Sequence, residues 1–165
     1  MTIMFEFTEC IEIGQPPRAV WQTLVDVEAW WLPSNPEHVA IEVGEHPVRE
    51  GTTVSFEERV AGIRGQAQGC ITRFVQGENI TWEGRARYGC WGLGFEITEG
   101  VAWTLEVASA GTRLCATVWA AFPGTWFGRF LELYTTRVLN VVDRDRAHAR
   151  TELEWLKSYI EDGGS

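Results

Sequence analysis

The C-terminal part of this chain carries an apolar stripe that only a long helix can keep on one face. The stripe recurs at steps of three, four or seven residues, through Leu131, Thr135, Val138, Val142, Ala149, Leu153, Leu156 and Ile160. This spacing predicts one amphipathic helix of about 35 residues. The helix would begin after Thr125 and end at Gly163. Such a helix must bury its stripe against a large apolar surface.

The rest of the chain offers a β-sheet as that surface. Residues 5–13 alternate between apolar and polar side chains, as a half-buried strand does. After Pro16-Pro17, helical spacing predicts one short helix, and a second covers Val27 to Trp31. Six further alternating segments lie between Val39 and Phe122, separated by Gly, Pro or Asn.

Strands joined by short turns pair antiparallel, so these segments predict a single sheet. The fold class is therefore α+β. We expect a curved antiparallel sheet of about seven strands, in the order β-α-α-β6-α, that grips the long C-terminal helix. Residues 1–165 form one domain in this interpretation, because the chain shows no linker, repeat or low-complexity tract.

Charge and composition exclude several classes of partner. The chain has 14 Lys and Arg against 23 Asp and Glu, a formal net charge of −9. This balance argues against nucleic acid and against an anionic membrane surface. No apolar run approaches the roughly 20 residues that a membrane span needs. The N-terminus lacks the pattern of a signal peptide, so we predict a cytoplasmic protein with reduced cysteines.

Local motifs predict no metal and no cofactor. The four cysteines form no C-x-x-C pair, and His38, His46 and His148 have no metal-ligand spacing to one another. His38 and His46 lie near turns and have no evident partner, and His148 is predicted on the solvated face of the long helix. The chain also lacks a serine nucleophile elbow and a phosphate-binding loop.

Short motifs accompany this order of elements. They are Pro17-x-x-Val20-Trp21-x-x-Leu24-x-Asp26-x-x-x-Trp30, Gly51-Thr52 before a strand, Ile80-Thr81-Trp82, and Gly111-Thr112 at the start of the last strand. Together with the terminal helix they resemble the START-like (SRPBCC) superfamily, in particular its polyketide cyclase/dehydrase branch. The resemblance covers nearly the whole chain and implies the helix-grip fold, with a cavity for a hydrophobic ligand.

The resemblance leaves the activity open, because fold analogy alone does not fix function. Members include lipid carriers, hormone-binding proteins, aromatase/cyclases, oxygenase domains and co-chaperone partners. Our first hypothesis is a carrier or sensor of a small hydrophobic molecule, either lipid-like or aromatic. The alternatives are a cyclase or dehydratase acting in the same cavity and a protein-interaction module.

Some polar residues fall in phase with apolar neighbours and are candidates for chemistry. Glu9, Glu58 and Glu99 share the apolar faces of their strands, where burial would raise a carboxyl pKa. Bulges, strand ends or ion pairs would explain the same positions without a function. Arg73 is a candidate anchor for an anionic group if it points inward, and the Tyr134 hydroxyl could reach a pocket from the long helix. Glu9, Glu99, Arg73 and Tyr134 are the catalytic candidates.

Aromatic residues are the predicted ligand contacts, because the chain contains nine Trp. The predicted ligand-binding residues are Trp30, Trp31, Phe56, Trp82, Trp103, Tyr134 and Val138. Core filling is the alternative. Small residues at Gly65, Ala67 and Gly69 would leave room for a ligand or for a bend in the sheet. Trp119 has the opposite parity and is a possible homodimer contact on the outer face.

Overall fold

One antiparallel sheet dominates the computed structural model, which describes residues 5–60, 63–90, 93–121 and 141–163. Its strands are β1 Phe5–Ile13, β2 His38–Val43, β3 Thr53–Val60, β4 Ile63–Val75, β5 Asn79–Cys90, β6 Leu93–Ala108 and β7 Gly111–Ala121. The described helices are α1 Pro17–Leu24, α2 Val27–Ser34 and α3 Val141–Glu161. The strands lie in the order β1-β7-β6-β5-β4-β3-β2, so β1 and β2 form the two edges. The predicted α+β class, with an antiparallel sheet and a C-terminal helix, is confirmed.

Helix α1 begins where the sequence predicts, because Pro17 occupies its first turn, where a missing N–H costs nothing. It buries Val20, Trp21 and Leu24 on one face. Helix α2 continues past the predicted end at Trp31 to Ser34. These two short helices close one end of the sheet's concave face.

Helix α3 lays its apolar stripe towards the sheet. Ala149, Leu153, Leu156 and Ile160 are all buried, which confirms this part of the stripe. The predicted residues Leu131, Thr135 and Val138 lie outside the described residues. Near its C-terminal end, the Glu161 carboxylate accepts a hydrogen bond of 2.7 Å from the Gly14 backbone N–H, which ties α3 to the end of β1.

A disulfide corrects the prediction of reduced cysteines for one pair. Cys10 of β1 and Cys115 of β7 are partners in the strand register and are bonded to each other. They lie on the convex face, with the opposite parity to buried Phe7 and Ile13. The cytoplasmic location stays a prediction. None of the described helices has the length and apolar character that crossing a bilayer requires.

Candidate functional site

A cluster of polar side chains lies between the concave face of the sheet and α3. We call it the polar cluster, and its members are Glu37, His38, Glu58, Tyr88, Glu99, Asp145, His148 and Glu152. His38 and Glu58 are buried, and the other six members of the cluster are half-buried. Polar groups at such positions must be paired, because burial removes their contacts with water.

Strand register brings the sheet's members of the cluster together. His38 of β2 pairs with Glu58 of β3, Glu58 pairs with Gly65 of β4, and Gly65 pairs with Tyr88 of β5. Gly65 has a specific role here, since a Cβ at this position would lie 2.5 Å from Cε1 of Tyr88. The Tyr88 ring therefore lies across Gly65, with its hydroxyl directed towards Glu58.

The Tyr88 hydroxyl bridges two carboxyl groups. Its oxygen lies 2.9 Å from Oε1 of Glu58 and 3.1 Å from Oε2 of Glu99. A phenol has one proton to donate. The second contact is therefore satisfied when one of the two carboxyl groups is protonated and donates to the phenol oxygen.

Glu99 is the carboxyl group that keeps its proton. Burial, reinforced by the nearby charge of Glu58, raises the pKa of Glu99 to about 8. Burial likewise raises the pKa of Glu58, against the opposing effect of His148. The same burial, followed by the charges of Glu99 and Glu58, raises the Tyr88 pKa well above its usual value, so the phenol stays protonated. Near neutral pH this group of three holds a proton that an exposed acid would have lost.

Two imidazoles and a carboxylate form the other half of the cluster. Nε2 of His38 lies 2.9 Å from Nε2 of His148 and 3.0 Å from Oε1 of Glu152. Nε2 of His148 lies 3.1 Å from the same Glu152 oxygen. The Nδ1 atoms point away from this centre, to the Trp31 carbonyl oxygen for His38 (2.5 Å) and to Glu37 Oε2 for His148 (3.0 Å).

Contacts within the cluster shift the pKa values of His148 and Glu152 far from their usual values. Burial lowers the pKa of His148, but its hydrogen bonds with Glu152 and Glu37 and the charges of Glu152 and Glu58 outweigh burial and raise it to about 10. Burial raises the pKa of Glu152, but its close contacts with His148 and His38 lower it to about 2. Burial and the charge of Glu58 raise the pKa of Asp145 to about 7. The cluster thus combines a fixed anion, a cation and carboxyl groups that hold protons. Its His38, His148 and Glu152 atoms are also placed as metal ligands would be.

An aromatic row leads from the cluster along the concave face. The Trp31 ring stacks on the His38 ring at a centroid distance of 3.5 Å. Phe56 lies 4.8 Å from Trp31 and 4.9 Å from Trp82 in the same measure. The concave face is therefore apolar and aromatic on one side of His38 and polar on the other.

The predicted catalytic candidates meet different fates. Glu99 lies in the polar cluster, as its parity predicts. Glu9 also faces α3, where it pairs with Arg150 (2.8 Å) and more distantly with Arg146 (3.8 Å). The ion pair with Arg150 explains the position of Glu9 without any functional role, which is one of the alternatives that the sequence left open. Tyr134 lies outside the described residues.

Arg73 does not point inward as its candidate role requires. A register shift between Ile71 and Arg73 inserts an extra residue into β4, which turns Arg73 into solvent and Phe74 towards Trp21. Arg73 instead lines an open groove of about 520 Å³ beside Glu78 and Glu106. Acidic neighbours make this groove a poor anchor for an anion.

The predicted ligand contacts are mostly packed against one another. Trp30 is fully buried, meets Trp103 edge-on at 5.5 Å between ring centroids, and donates its indole N–H to the Leu24 carbonyl oxygen. Trp31, Phe56 and Trp82 form the aromatic row, with Phe56 half-buried. Val138 lies outside the described residues. Contact of these residues with a ligand stays a prediction.

Small residues and Trp119 have structural explanations. Rings from Tyr88 and Trp82 occupy the space over Gly65 and Gly84. On the convex face the half-buried Trp119 ring covers Gly100 in the same way. A role for Trp119 in a homodimer stays a prediction.

Sequence reasoning missed the imidazole half of the site. It predicted a solvated His148, whereas His148 is half-buried and meets His38 across 110 residues of sequence. It also found no partner for His38, which is buried in that contact. One local signal was available, because His148 and Glu152 stand four residues apart and so share one face of α3.

Comparison with known proteins finds relatives in structure only. No family model matches the chain, and no curated protein matches it. A conserved protein from Geobacillus kaustophilus superposes with a TM-score of 0.72 at 10% identity, covering 96% of each chain. A START superfamily protein from Mycobacterium smegmatis gives 0.61 at 10% identity, covering 95% of this chain and 97% of the other.

A di-domain protein of a biosynthetic pathway shows the same architecture. The di-domain ARO/CYC StfQ from the steffimycin biosynthetic pathway gives a TM-score of 0.62 at 15% identity, covering 95% of this chain and 51% of its own. The shared architecture is the sheet that grips a C-terminal helix, which the motifs from Pro17 to Gly111 indicated. This chain therefore has the helix-grip fold of START-like (SRPBCC) proteins.

Proposed function

We propose that this protein binds a small hydrophobic molecule that carries a polar group, as a carrier or sensor. The observation that supports it is the aromatic row of Trp31, Phe56 and Trp82, which ends at a buried cluster of titratable groups. Small-molecule sites have this composition, with apolar walls and a few polar groups that fix the ligand's orientation.

The two parts of the face would divide the work of binding. Burial of apolar ligand surface contributes roughly 25 cal/mol per Å² before the costs of association. A carbonyl or hydroxyl oxygen of the ligand would compete with the contacts inside the cluster for the protons of the Tyr88 hydroxyl and of Glu99. A ligand without such an oxygen would leave those contacts as they are and would gain no hydrogen bond from them.

Ligand screening tests this proposal. Thermal shift and native mass spectrometry across sterols, fatty acids and polyphenols should find at least one ligand that binds with one-to-one stoichiometry. At 100 times its Kd such a ligand adds about 2.7 kcal/mol of stability. A panel without any binder would overturn the proposal.

Variants then test the orientation of the ligand. Tyr88→Phe and Glu99→Gln each remove one polar function with little change in shape. We expect each to weaken binding of an oxygen-bearing ligand about tenfold, which corresponds to about 1.4 kcal/mol. Thr8→Ala is the matched control, since Thr8 is exposed and bonded to Thr117 on the convex face. Unchanged affinity in both site variants would contradict this orientation.

A second candidate function is acid–base catalysis on a polyketide-like substrate in the same space. The observation that favours it is the proton on Glu99, whose pKa of about 8 suits a general acid near neutral pH. The activity would be the cyclisation or dehydration of a bound chain. Turnover should fall at least a hundredfold in Glu99→Gln, and equal turnover in that variant would exclude Glu99 as the acid.

A further inference from the structure

Three side-chain atoms that accept hydrogen bonds converge on one point in the polar cluster. They are Nε2 of His38, Nε2 of His148 and Oε1 of Glu152, and their mutual distances are 2.9, 3.0 and 3.1 Å. The His38 side chain is 0% exposed, and those of His148 and Glu152 are 15% and 12% exposed. Water therefore has little access to separate these atoms.

The outer contacts of the two rings decide which nitrogens carry protons. Nδ1 of His38 faces the Trp31 carbonyl oxygen, which cannot donate, so this nitrogen must be an N–H donor. Nδ1 of His148 faces the Glu37 carboxylate and donates in the same way. When neither Nε2 carries a proton, each ring presents an Nε2 lone pair to the other ring and to Glu152. Three lone pairs this close together require a cation between them.

We propose that His38, His148 and Glu152 bind a divalent transition-metal ion, for which zinc is the best match. Two imidazoles and one carboxylate form a known catalytic zinc ligand set, which leaves a coordination position open. Imidazole nitrogens favour zinc, cobalt, nickel or iron over magnesium and calcium, which prefer oxygen ligands.

The geometry requires only a small adjustment for an ion. Tetrahedral zinc with bonds of about 2.0–2.1 Å holds its ligand atoms about 3.3 Å apart. Each observed separation is thus a few tenths of an ångström short. Helix α3 supplies His148 and Glu152 from one face, four residues apart. The Trp31 ring, stacked on His38, fixes the plane of that imidazole.

Groups around the three ligands also suit a metal. Ligating histidines usually donate their second ring N–H to a carbonyl or carboxylate oxygen, which orients the ring and raises its basicity. The Trp31 carbonyl and the Glu37 carboxylate occupy those two positions. Glu58 and Asp145 lie close enough to act on His148 electrostatically, and they add negative charge around the centre when they are ionised.

A proton is the competing cation. With a single proton on Nε2 of His148, this nitrogen would donate to Glu152 and approach His38 with no metal present. A metal and a proton are distinguishable in three ways. Metal binding is saturable, its affinity depends on all three ligands, and it shifts the NMR resonances of both Nε2 atoms.

Metal titration of the tag-free, chelator-treated protein provides the test. Cobalt(II) should bind one equivalent with visible d–d bands, and zinc should displace it with a Kd of 1 μM or tighter, whereas magnesium should not. His148→Ala, His38→Gln and Glu152→Gln should each weaken zinc binding at least a hundredfold. His46→Ala is the control, since His46 is half-exposed beside Glu28 and should retain full affinity.

Circular dichroism shows whether each variant still folds. If a variant does not fold, a measurement on the wild-type chain still tests the proposal. In ¹⁵N-labelled protein, zinc should move the Nε2 resonances of His38 and His148 to metal-bound values and leave both Nδ1 atoms protonated. The proposal is overturned if wild-type protein shows no saturable zinc or cobalt binding up to 1 mM, if affinity depends on His46, or if the two Nε2 resonances do not respond. Ligand binding in the metal-free protein is scored separately, so either proposal can fail alone.

Discussion

The two ends of the sheet's concave face use the same strands for opposite purposes. At the packed end, beside α1 and α2, the inward side chains are Trp30, Ile80, Trp103, Leu105 and Leu114, all buried. At the polar end, facing the N-terminal part of α3, β3, β5 and β6 direct Glu58, Tyr88 and Glu99 inward. Alternation is the same at both ends, and only the chemistry of the side chains changes.

This difference separates stability from function. Packing of rings at one end lowers the free energy of the folded chain through burial and close contact. Burial of several carboxyl groups at the other end costs free energy unless each is paired or protonated. Perturbed pKa values concentrate at functional sites, which supports our proposal that the polar end serves binding or chemistry.

Truncation at the packed end should have the largest effect on stability. Trp30→Ala removes a fully buried ring and its contact with Trp103, and should lower the free energy of unfolding by about 3–5 kcal/mol. Chemical denaturation measures this change. Leu32→Ala in the same helix is the control, because Leu32 is 39% exposed and should cost under about 1 kcal/mol. An equal decrease in the free energy of unfolding in both variants would contradict the claim that packing at this end stabilises the fold.

Overfilling the polar end should displace Tyr88. Gly65→Ala places a Cβ 2.5 Å from the Tyr88 ring, which must move away from Glu58, at a cost of about 1–3 kcal/mol. Gly89→Ala is the matched control, since nothing lies within 4 Å of a Cβ there. Tyr88 ring shifts in the NMR spectrum report the displacement, and an unmoved ring in Gly65→Ala would refute the role of Gly65.

The proton on Glu99 predicts a pH-dependent contribution to stability. Below about pH 4.5 this carboxyl is protonated in both the folded and the unfolded chain. Between that pH and about 8 the unfolded chain loses a proton that the folded chain keeps, so stability falls as pH rises and then levels off. Partial solvent access reduces the expected loss to about 1–2 kcal/mol.

Glu99→Gln isolates this contribution, because glutamine cannot ionise. The stability of the wild type minus that of Glu99→Gln, from denaturation at several pH values, should fall between pH 4.5 and 8. Glu96→Gln is the matched control, because Glu96 lies on the same strand and is exposed. A difference that rises with pH would contradict a raised Glu99 pKa.

The smallest effect is expected at Glu9, an inward acid outside the polar cluster. Its partner Arg150 is 63% exposed, and solvent-exposed ion pairs contribute about 0–1 kcal/mol. Glu9→Gln should therefore change the free energy of unfolding by less than about 1 kcal/mol, and 0.5 M salt should reduce that change further. A decrease in the free energy of unfolding as large as that of Trp30→Ala would contradict this expectation and show that Glu9 is important for stability.

Local periodicity predicted most of this fold but only half of the site. The stripe through Leu153 and Ile160 and the parity of Glu58 and Glu99 depend on neighbours a few residues away, so the sequence contains them directly. Bulges break that logic. The register shift between His38 and Ala40 turns His38 inward, where strict alternation with Ile41 places it outward.

Contacts between distant segments were beyond local patterns. His38 meets His148, and Cys10 meets Cys115, only because β7 pairs with β1 and α3 lies across the concave face. Spacing rules for metals and disulfides read neighbours in sequence, so neither pair gives a signal before the topology is known. The sequence reveals only those site residues whose direction follows from alternation within their own strand, such as Glu58 and Glu99.

Indole N–H resonances test the proposed binding face most directly. Trp31 and Trp82 belong to the aromatic row, whereas Trp119 lies on the convex face. Addition of a hydrophobic ligand from the panel to ¹⁵N-labelled protein should shift the Trp31 and Trp82 indole signals saturably and leave Trp119 unchanged. Shifts confined to Trp119, or no saturable shift with any ligand of the panel, would contradict the proposal that the concave face is the binding site.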